Sequence, residues 1–432
     1  MASQIQMQTQ RYALTHQRLL RHKLFRPSDL GHLGTNDAVQ YKLTPIESLL
    51  GRQQQQSHKS LLLLGLLQQI EEGQYYLEDL TGQVPISFQH ATVVEGFFVT
   101  EGNILLVEGS FQDGILYAQR IGHPLLEERE DSLSVIRQQV RHPAFHHKPL
   151  TFNYPSHPPS DAPIVLLSDV SLDQPRVLQQ LEALFASFEN YSLHRLPLFC
   201  LMGNFCSQFQ LHPGEDVRQS LEDLASLIAR FPKLAAHAHF CLVPGPNDGV
   251  GHVLPYSWPK SSSSMPCWNK IPHAHFTSNP SKIRWNGRTM TLFRYNILSL
   301  MQQQQIPLPI AEDDRYVVKV PHLRVVKTLL DQGHLLPLAG APIYWNYDHA
   351  MSLYPLPDTL VLGSSDSSAF HEIYGSVDVI HPGSFAKHGD FARYLPSQEV
   401  VQDDELVDTA AQVSLDQVDE NWNSQEAGNA KD

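Results

Sequence analysis

The sequence predicts a layered α/β domain preceded by a small all-β barrel of OB type and followed by an acidic, flexible tail. Three observations point there. Strand-length apolar runs at Ile164–Ser168, Leu198–Met202 and His239–Val243 each end in a polar loop, with amphipathic segments between them. Ahead of them, between residues 43 and 123, short alternating segments recur with turn residues between them. Residues 403–432 carry nine acidic side chains against the single Lys431.

At 432 residues, with 42% hydrophobic and 18% charged side chains, the chain has room for two or three domains and a sizeable core. No apolar run approaches the ~18 residues that span a bilayer, and the first residues lack the apolar core of a signal peptide. The expectation is a cytosolic or nuclear protein without a membrane partner. The net charge of −14 excludes a strongly basic nucleic-acid binder. Cys200, Cys206, Cys241 and Cys267 form no C-x-x-C pair, so neither a zinc site nor a disulfide framework is expected. They read as small hydrophobes.

The chain divides into a basic N-terminal helix and linker (1–42), the OB-type barrel (43–141), a Pro-rich linker (142–163), the α/β domain (164–397) and the acidic tail (398–432). Residues 10–26 read as a helix with Tyr12, Leu19, Leu20 and Leu24 near one face and a solvated basic face opposite. Residues 11–26 hold five Lys or Arg and no acid. Barrel strands are expected at 75–80, 84–88, 93–99, 104–108 and 115–121, the spacing of a partly open Greek-key barrel. Such barrels bind single strands through stacked aromatics in a basic groove. The aromatics Tyr75, Tyr76, Phe97, Phe98, Phe111 and Tyr117 are present, but residues 71–121 hold eight acids and one base, Arg120. That charge repels a phosphate backbone, and the rings read as barrel core. The prolines of 142–163 break any regular pattern. His142, His146 and His147 just ahead, without a carboxylate or Cys at ligand spacing, read as loop residues.

In the α/β domain, Asp169 follows the first buried run. Val177, Leu178, Leu181, Leu184, Phe185 and Phe188 then mark an amphipathic helix. Helices are expected at 216–231 and 322–331. Further strands are expected at 274–277, 282–285, 289–293, 359–362 and 377–380, with 302–305 as a polar loop and 259–266 as an exposed one. In open α/β sheets chemistry sits just past the carboxyl ends of strands. Three loops follow strands in this way, Asp169-Val170-Ser171, Gly203-Asn204 and Gly245-Pro246-Asn247-Asp248; Gly333-His334-Leu335-Leu336, at the end of the helix expected at 322–331, stands with them in chain order to complete the candidate cleft. His381 reads either as the relic of a ligand or as a strand-end residue held by its own hydrogen bonds. The pairs His237/His239 and His273/His275 each share a strand face and read as core or rim residues.

In order and spacing, these four loops resemble those of the calcineurin-like metallophosphoesterases, which read D-x-H, G-D-x-x-D, G-N-H-[DE] and G-H-x-H and hold two metals. The resemblance implies a two-layered phosphoesterase domain whose ligands have been lost. Asp169 remains, but Ser171 stands for a His. Asn204 stands for the bridging Asp, Pro246 for an Asn, and Asn247 for the His that protonates the leaving group. Asp248 keeps the acidic type. His334 remains, while Leu336 stands for its partner His. Two divalent cations about 4 Å apart need anionic bridging, which a neutral Asn does not supply.

A degenerate phosphoesterase domain behind an OB barrel resembles the B-subunits of the eukaryotic replicative DNA polymerases, and the epsilon branch of that family in particular. The strings that carry the likeness are YALTHQRLLRHKLF (12–25), LSDVSLDQ (167–174), GNFCS (203–207), LVPGPND (242–248), FTSNP (276–280), GHLLPL (333–338), YWNYDHAMSLYPLPD (344–358) and HPGSF (381–385). The family carries a small helical domain at its N-terminus, whereas this chain begins close to the basic helix. The resemblance implies a nuclear, non-catalytic scaffold without cofactor or metal, its cleft vestigial at the eight positions from Asp169 to Leu336. It implies docking to the C-terminal zinc-binding module of the polymerase epsilon catalytic subunit. Further implied partners are the other subunits of that complex and the replicative helicase, with DNA reached mainly through the complex. The competing reading is a divalent-metal-dependent phosphoesterase with rearranged ligands drawn from Asp169, Asp248, His334 and His381.

Overall fold

A computed structural model of the chain describes residues 4–25, 41–50, 60–139, 150–151, 162–207, 213–248, 251–259, 265–311 and 320–395. The acidic tail and His142, His146 and His147 lie outside the described residues, as does most of the Pro-rich stretch.

Helix α1 (Gln4–Arg21) opens the chain and the short α2 (Glu47–Leu50) precedes the barrel. The barrel strands are β1 (Leu61–Glu71), β2 (Gln74–Glu78), β3 (Gln83–Ser87), β4 (Thr92–Val93), β5 (Ile104–Gln112) and β6 (Ile115–Gly122). The leucine-rich β1 pairs antiparallel with both β2 and β5. The sequence pattern does not predict this strand, because consecutive leucines carry no alternation. Gly65 sits where a Cβ would overlap the Leu77 side chain, so β1 and β2 pack closely only with glycine there. Parallel pairing of Ile86 with Leu116 joins β3 to β6 and closes the barrel. The expected strand at 93–99 shortens to β4. Past it the chain turns toward the second domain: Phe97 stays in the barrel core, while Phe98 packs in the α/β core with Arg324 3.9 Å over its ring.

Helix α3 (Arg129–Gln139) follows outside the barrel, with Arg129 paired to Asp358 at 3.2 Å. The α/β domain is built from two facing sheets. One orders β11 (Ala274–Phe276), β10 (His239–Val243), β9 (Leu198–Met202), β8 (Ile164–Ser168) and β17 (Ala392–Tyr394). The other orders β15 (Phe370–Tyr374), β16 (Val377–His381), β14 (Thr359–Gly363), β13 (Arg288–Arg294), β12 (Ser281–Trp285) and β7 (Leu150–Thr151). Ile164, Leu166, Cys200, Met202, Cys241 and Val243 of the first sheet meet Ile283, Met290, Leu292, Val361 and Ile380 of the second. Outside the first sheet pack α4 (Pro175–Glu189), α5 (Pro213–Ile228) and α6 (Pro232–His237); outside the second pack α7 (Ile297–Gln304) and α8 (Pro321–Gln332). The four-residue α9 (Phe385–His388) precedes β17. Strands β8, β9 and β10 are buried along their whole length, which is why they read as continuous apolar runs. This is the two-layered build expected of the α/β domain. The glutamines of 302–305, expected as a loop, largely continue α7, because Ile297 and Met301 anchor one face of that helix in the core.

Helix α1 departs from its expected role. Leu20 and Leu24 are exposed, whereas Tyr12 and Leu19 pack with Leu64, Leu66 and Ile104 of the barrel. Its basic face is paired rather than solvated. Arg11 forms an ion pair with Asp348, and Arg21 grips Glu127 through two bonds of 2.6 and 2.9 Å. Arg18 is buried and donates to the Asp331 carbonyl at 3.4 Å. Arg11 and Arg21 find their counter-ions 337 and 106 positions further along the chain.

Candidate functional site

The carboxyl ends of β8, β9, β10, β13 and β14 converge on one buried polar cluster. At the end of β8, Asp169 has φ +62°, a left-handed conformation that short polar residues adopt more readily than bulky ones. Its Oδ1 accepts from Arg294 Nη2 at 3.3 Å and its Oδ2 from the Ser384 hydroxyl at 2.7 Å. Its carbonyl accepts the N–H groups of Ser171 at 3.1 Å and Ala386 at 3.2 Å. The loop itself is capped by Asp173, whose carboxylate takes the Ser207 N–H at 3.0 Å. Ser171 is buried, and its carbonyl accepts the Gln174 N–H that leads into α4.

At the ends of β9 and β10 two loops are stitched together. The Gly203–Asn204 peptide is cis, and Asn204 Oδ1 accepts the Asn247 N–H at 3.0 Å. Asp248 is buried and accepts from Phe205 N–H at 2.7 Å and Gly245 N–H at 2.6 Å, one on each oxygen. Burial pushes its carboxyl up to about 7, against those N–H groups and the nearby Arg294. Pro246 and Asn247 form the half-buried turn between them.

Arg294, the last residue of β13, has a fully buried side chain at the centre of this cluster. Its Nε donates to the Gly203 carbonyl, its Nη1 to Asn296 Oδ1 at 2.9 Å, and its Nη2 to Asp169. Burial lowers its affinity for the proton, while Asp169 and Asp248 oppose that shift.

The fourth loop of the cluster differs from the one the sequence pattern predicts. His334 follows Gly333, the left-handed cap of α8 at φ +63°. It therefore sits at the helix end expected for Gly333-His334, unlike the three loops that follow strands. Its Nδ1 accepts the Leu336 N–H at 3.0 Å and its Nε2 lies 3.2 Å from Asp348, which also binds Arg11 of α1. Leu336 is fully buried in the core around α7 and α8. The loop that does meet Asp169 and Arg294 is 363–366, past β14. A Cβ on Gly363 would come within 2.6 Å of Ser168 Oγ and 3.2 Å of Arg294 Cδ. Ser365 N–H donates to Asn296 Oδ1 at 3.2 Å, and Ser364 Oγ lies 2.8 Å from His381 Nε2. His381 Nδ1 accepts the Gly383 N–H at 3.0 Å, the strand-end bonding expected of it. Burial lowers His334 and His381 to about 4, with Arg11 and Arg294 respectively adding to the effect.

Matches to known families are decisive at this point. Residues 1–125 match the model described as "DNA polymerase epsilon subunit 2-like, OB-fold domain", and residues 164–372 match the model of the DNA polymerase alpha/epsilon B-subunit. DNA polymerase epsilon subunit 2 of Homo sapiens is 32% identical over 414 residues, covering 93% of this chain and 75% of the relative. The chain belongs to the DNA polymerase epsilon B-subunit family. The Arabidopsis thaliana B-subunit of DNA polymerase epsilon is also 32% identical, across 91% of this chain and 74% of its own length. The Schizosaccharomyces pombe B-subunit is 30% identical, across 88% of this chain and 66% of its own length. Among solved structures, an archaeal phosphodiesterase aligns with 52% of the chain and 88% of its own at 13% identity and a TM-score of 0.26, too low to bear on function.

In this member of the B-subunit family the cluster does not fit a metal pair. A dinuclear site needs carboxylate oxygens and imidazole lone pairs turned toward the ions. Here Asp169 is engaged by a guanidinium and a hydroxyl, and Asp248 by two backbone N–H groups. His334 and His381 each spend the Nδ1 lone pair on a backbone N–H, which leaves the proton on Nε2. Among the described residues no group of three or more His, Cys, Asp or Glu is placed to hold a metal ion. Three more histidines meet at β10, β11 and the turn before β11: the His239 ring lies 4.6 Å from that of His273 and stacks on His275 at 5.7 Å. Sequence reasoning missed Arg294 and Gly363. The available signal was a charged residue closing a buried strand, the position Asp169 takes after β8.

Proposed function

We propose that this chain is a non-catalytic accessory subunit of the DNA polymerase epsilon complex, acting in the nucleus in chromosomal replication. Family membership across 93% of the chain carries this reading. The chemistry of the strand-end cluster supports it, since the groups a phosphoesterase would turn toward metals are spent on contacts within the chain. In this reading the cleft positions Asp169, Ser171, Asn204, Pro246, Asn247 and Asp248 are vestigial as chemistry and retained as architecture, while His334 and Leu336 serve the end of α8 and the core beside it. The docked barrel and α/β domain form an extended face for the C-terminal zinc-binding module of the catalytic subunit. The other subunits and the replicative helicase are further partners, and DNA is reached mainly through the complex. Capture of the full chain by the catalytic subunit's C-terminal module tests the proposal. A complex at micromolar concentration is expected, and its absence would sink it. Incubation of the chain with manganese and a generic phosphodiester should give no turnover; turnover lost in Asp169→Ala would establish the phosphoesterase reading instead.

A further inference from the structure

We propose that the Arg294 guanidinium is a tethered cation that holds the strand-end loops of both sheets together. A metal pair does two things in such a cleft. It neutralises the carboxylates that converge there, and it fixes the loops that carry them. Arg294 supplies both from within the chain. Its delocalised charge lies on Asp169 at the end of β8, with Asp248 and Asp366 among the carboxylates whose fields it feels. Its planar fork reaches three separate partners: the Gly203 carbonyl past β9, the Asn296 side chain that opens α7, and Asp169. Asn296 in turn receives the Ser365 N–H of the β14 loop, and Asp169 receives the Ser384 hydroxyl after β16. Loops from both sheets are thus joined through one side chain with no exposed surface. Five N–H donors in a rigid plane suit this task, whereas an ammonium offers a point charge without the geometry.

The clamp lies within the cleft and needs no docking partner. Breaking a buried pair leaves the partner charge stranded, so removing both charges costs less than the sum of the single losses. The full chain is compared with Arg294→Met, Asp169→Asn and the double variant by thermal unfolding. Each single change should lower the midpoint by several degrees. The double variant should lose clearly less than the two losses added. In parallel, the unaltered chain is dialysed against manganese and its bound metal measured. No bound manganese, and an unchanged midpoint with manganese or chelator, is the expected result. Additive losses, or a midpoint indifferent to Arg294→Met, would overturn the proposal. So would stoichiometric manganese on the unaltered chain. If Arg294→Met yields no folded protein, Arg294→Lys takes its place: it should fold with a lowered midpoint, since the charge is kept and the fork is lost. A midpoint equal to that of the unaltered chain would count against the fork.

Discussion

Ser384 shows how much a single side chain contributes to this cleft. It is buried, its hydroxyl donates to Asp169 at 2.7 Å, and it accepts the Lys387 N–H at the start of α9. Ser384→Ala strips a hydrogen bond from a buried carboxylate and a cap from a helix. The expected loss is about 1.5–3 kcal/mol, read from urea unfolding midpoints. His239 sets a pH dependence. Burial pushes it to about 4, with His273 and His275 adding to the shift. The neutral ring is the one the fold prefers. Its contribution is complete above the ordinary value near 6.5 and is lost as pH falls from there toward 4. His334 and His381, also near 4, act in the same sense. Asp248, raised to about 7, acts in the opposite one, since its contribution fades as pH rises toward 7. The three histidines dominate, so the melting temperature should fall on acidification through this window. His239→Asn should flatten part of that slope. An unaltered slope would show that the His239 ring is not responsible.

At the scale of elements, α1 is the decisive case. Its period and its basic residues were legible in sequence, but its task was not. It lies across the junction, with Tyr12 and Leu19 on the barrel, Arg11 on Asp348 and Arg21 on Glu127. Beneath it a second bridge joins the domains. His123, at the end of the barrel, lies 3.4 Å from Asp331 of α8, which also takes the Tyr374 hydroxyl at 2.9 Å. Gln332 completes the junction by exchanging two bonds of 2.8 Å with the Ile104 backbone. The α1 helix is therefore a clasp between barrel and α/β domain. Leu19→Ala should cost about 2–5 kcal/mol, as for other large-to-small core changes. Denaturant unfolding would measure it. A loss near zero would show that the helix does not clasp the two domains.

Over the whole molecule, the clasped domains leave an exposed aromatic turn. Tyr344, Trp345 and Tyr347 are each about half exposed, at 55%, 46% and 53%. Trp345 borders a cavity of about 280 Å³ lined by α1 and the 338–343 segment. Aromatic rings are enriched where surfaces are covered by partners. If the proposed docking uses this face, Trp345→Ala should weaken capture by the catalytic subunit's module about tenfold or more, the cost of a hot-spot ring. Thermal unfolding should barely change, because the ring packs little core. Undiminished capture would move the docking face elsewhere.

Sequence alone determined the small barrel ahead of a layered α/β domain, the three buried strands, and the side-chain types available at positions 171, 204, 246 and 247. Those features are local: a run of apolar residues, a turn signal, or one side chain lacking a donor atom. Tertiary structure alone decided which loops share the cleft. His334 matched a letter pattern, yet it follows the Gly333 cap of a helix and lies beside Arg11 and Asp348. Gly363 matched none, yet it faces Ser168 and Arg294. The reason is physical. A buried charge is stable only where a counter-charge and hydrogen-bond partners meet it, and Arg294 finds Asp169 across 125 positions of chain. That meeting depends on how two sheets stack, which no window of sequence contains.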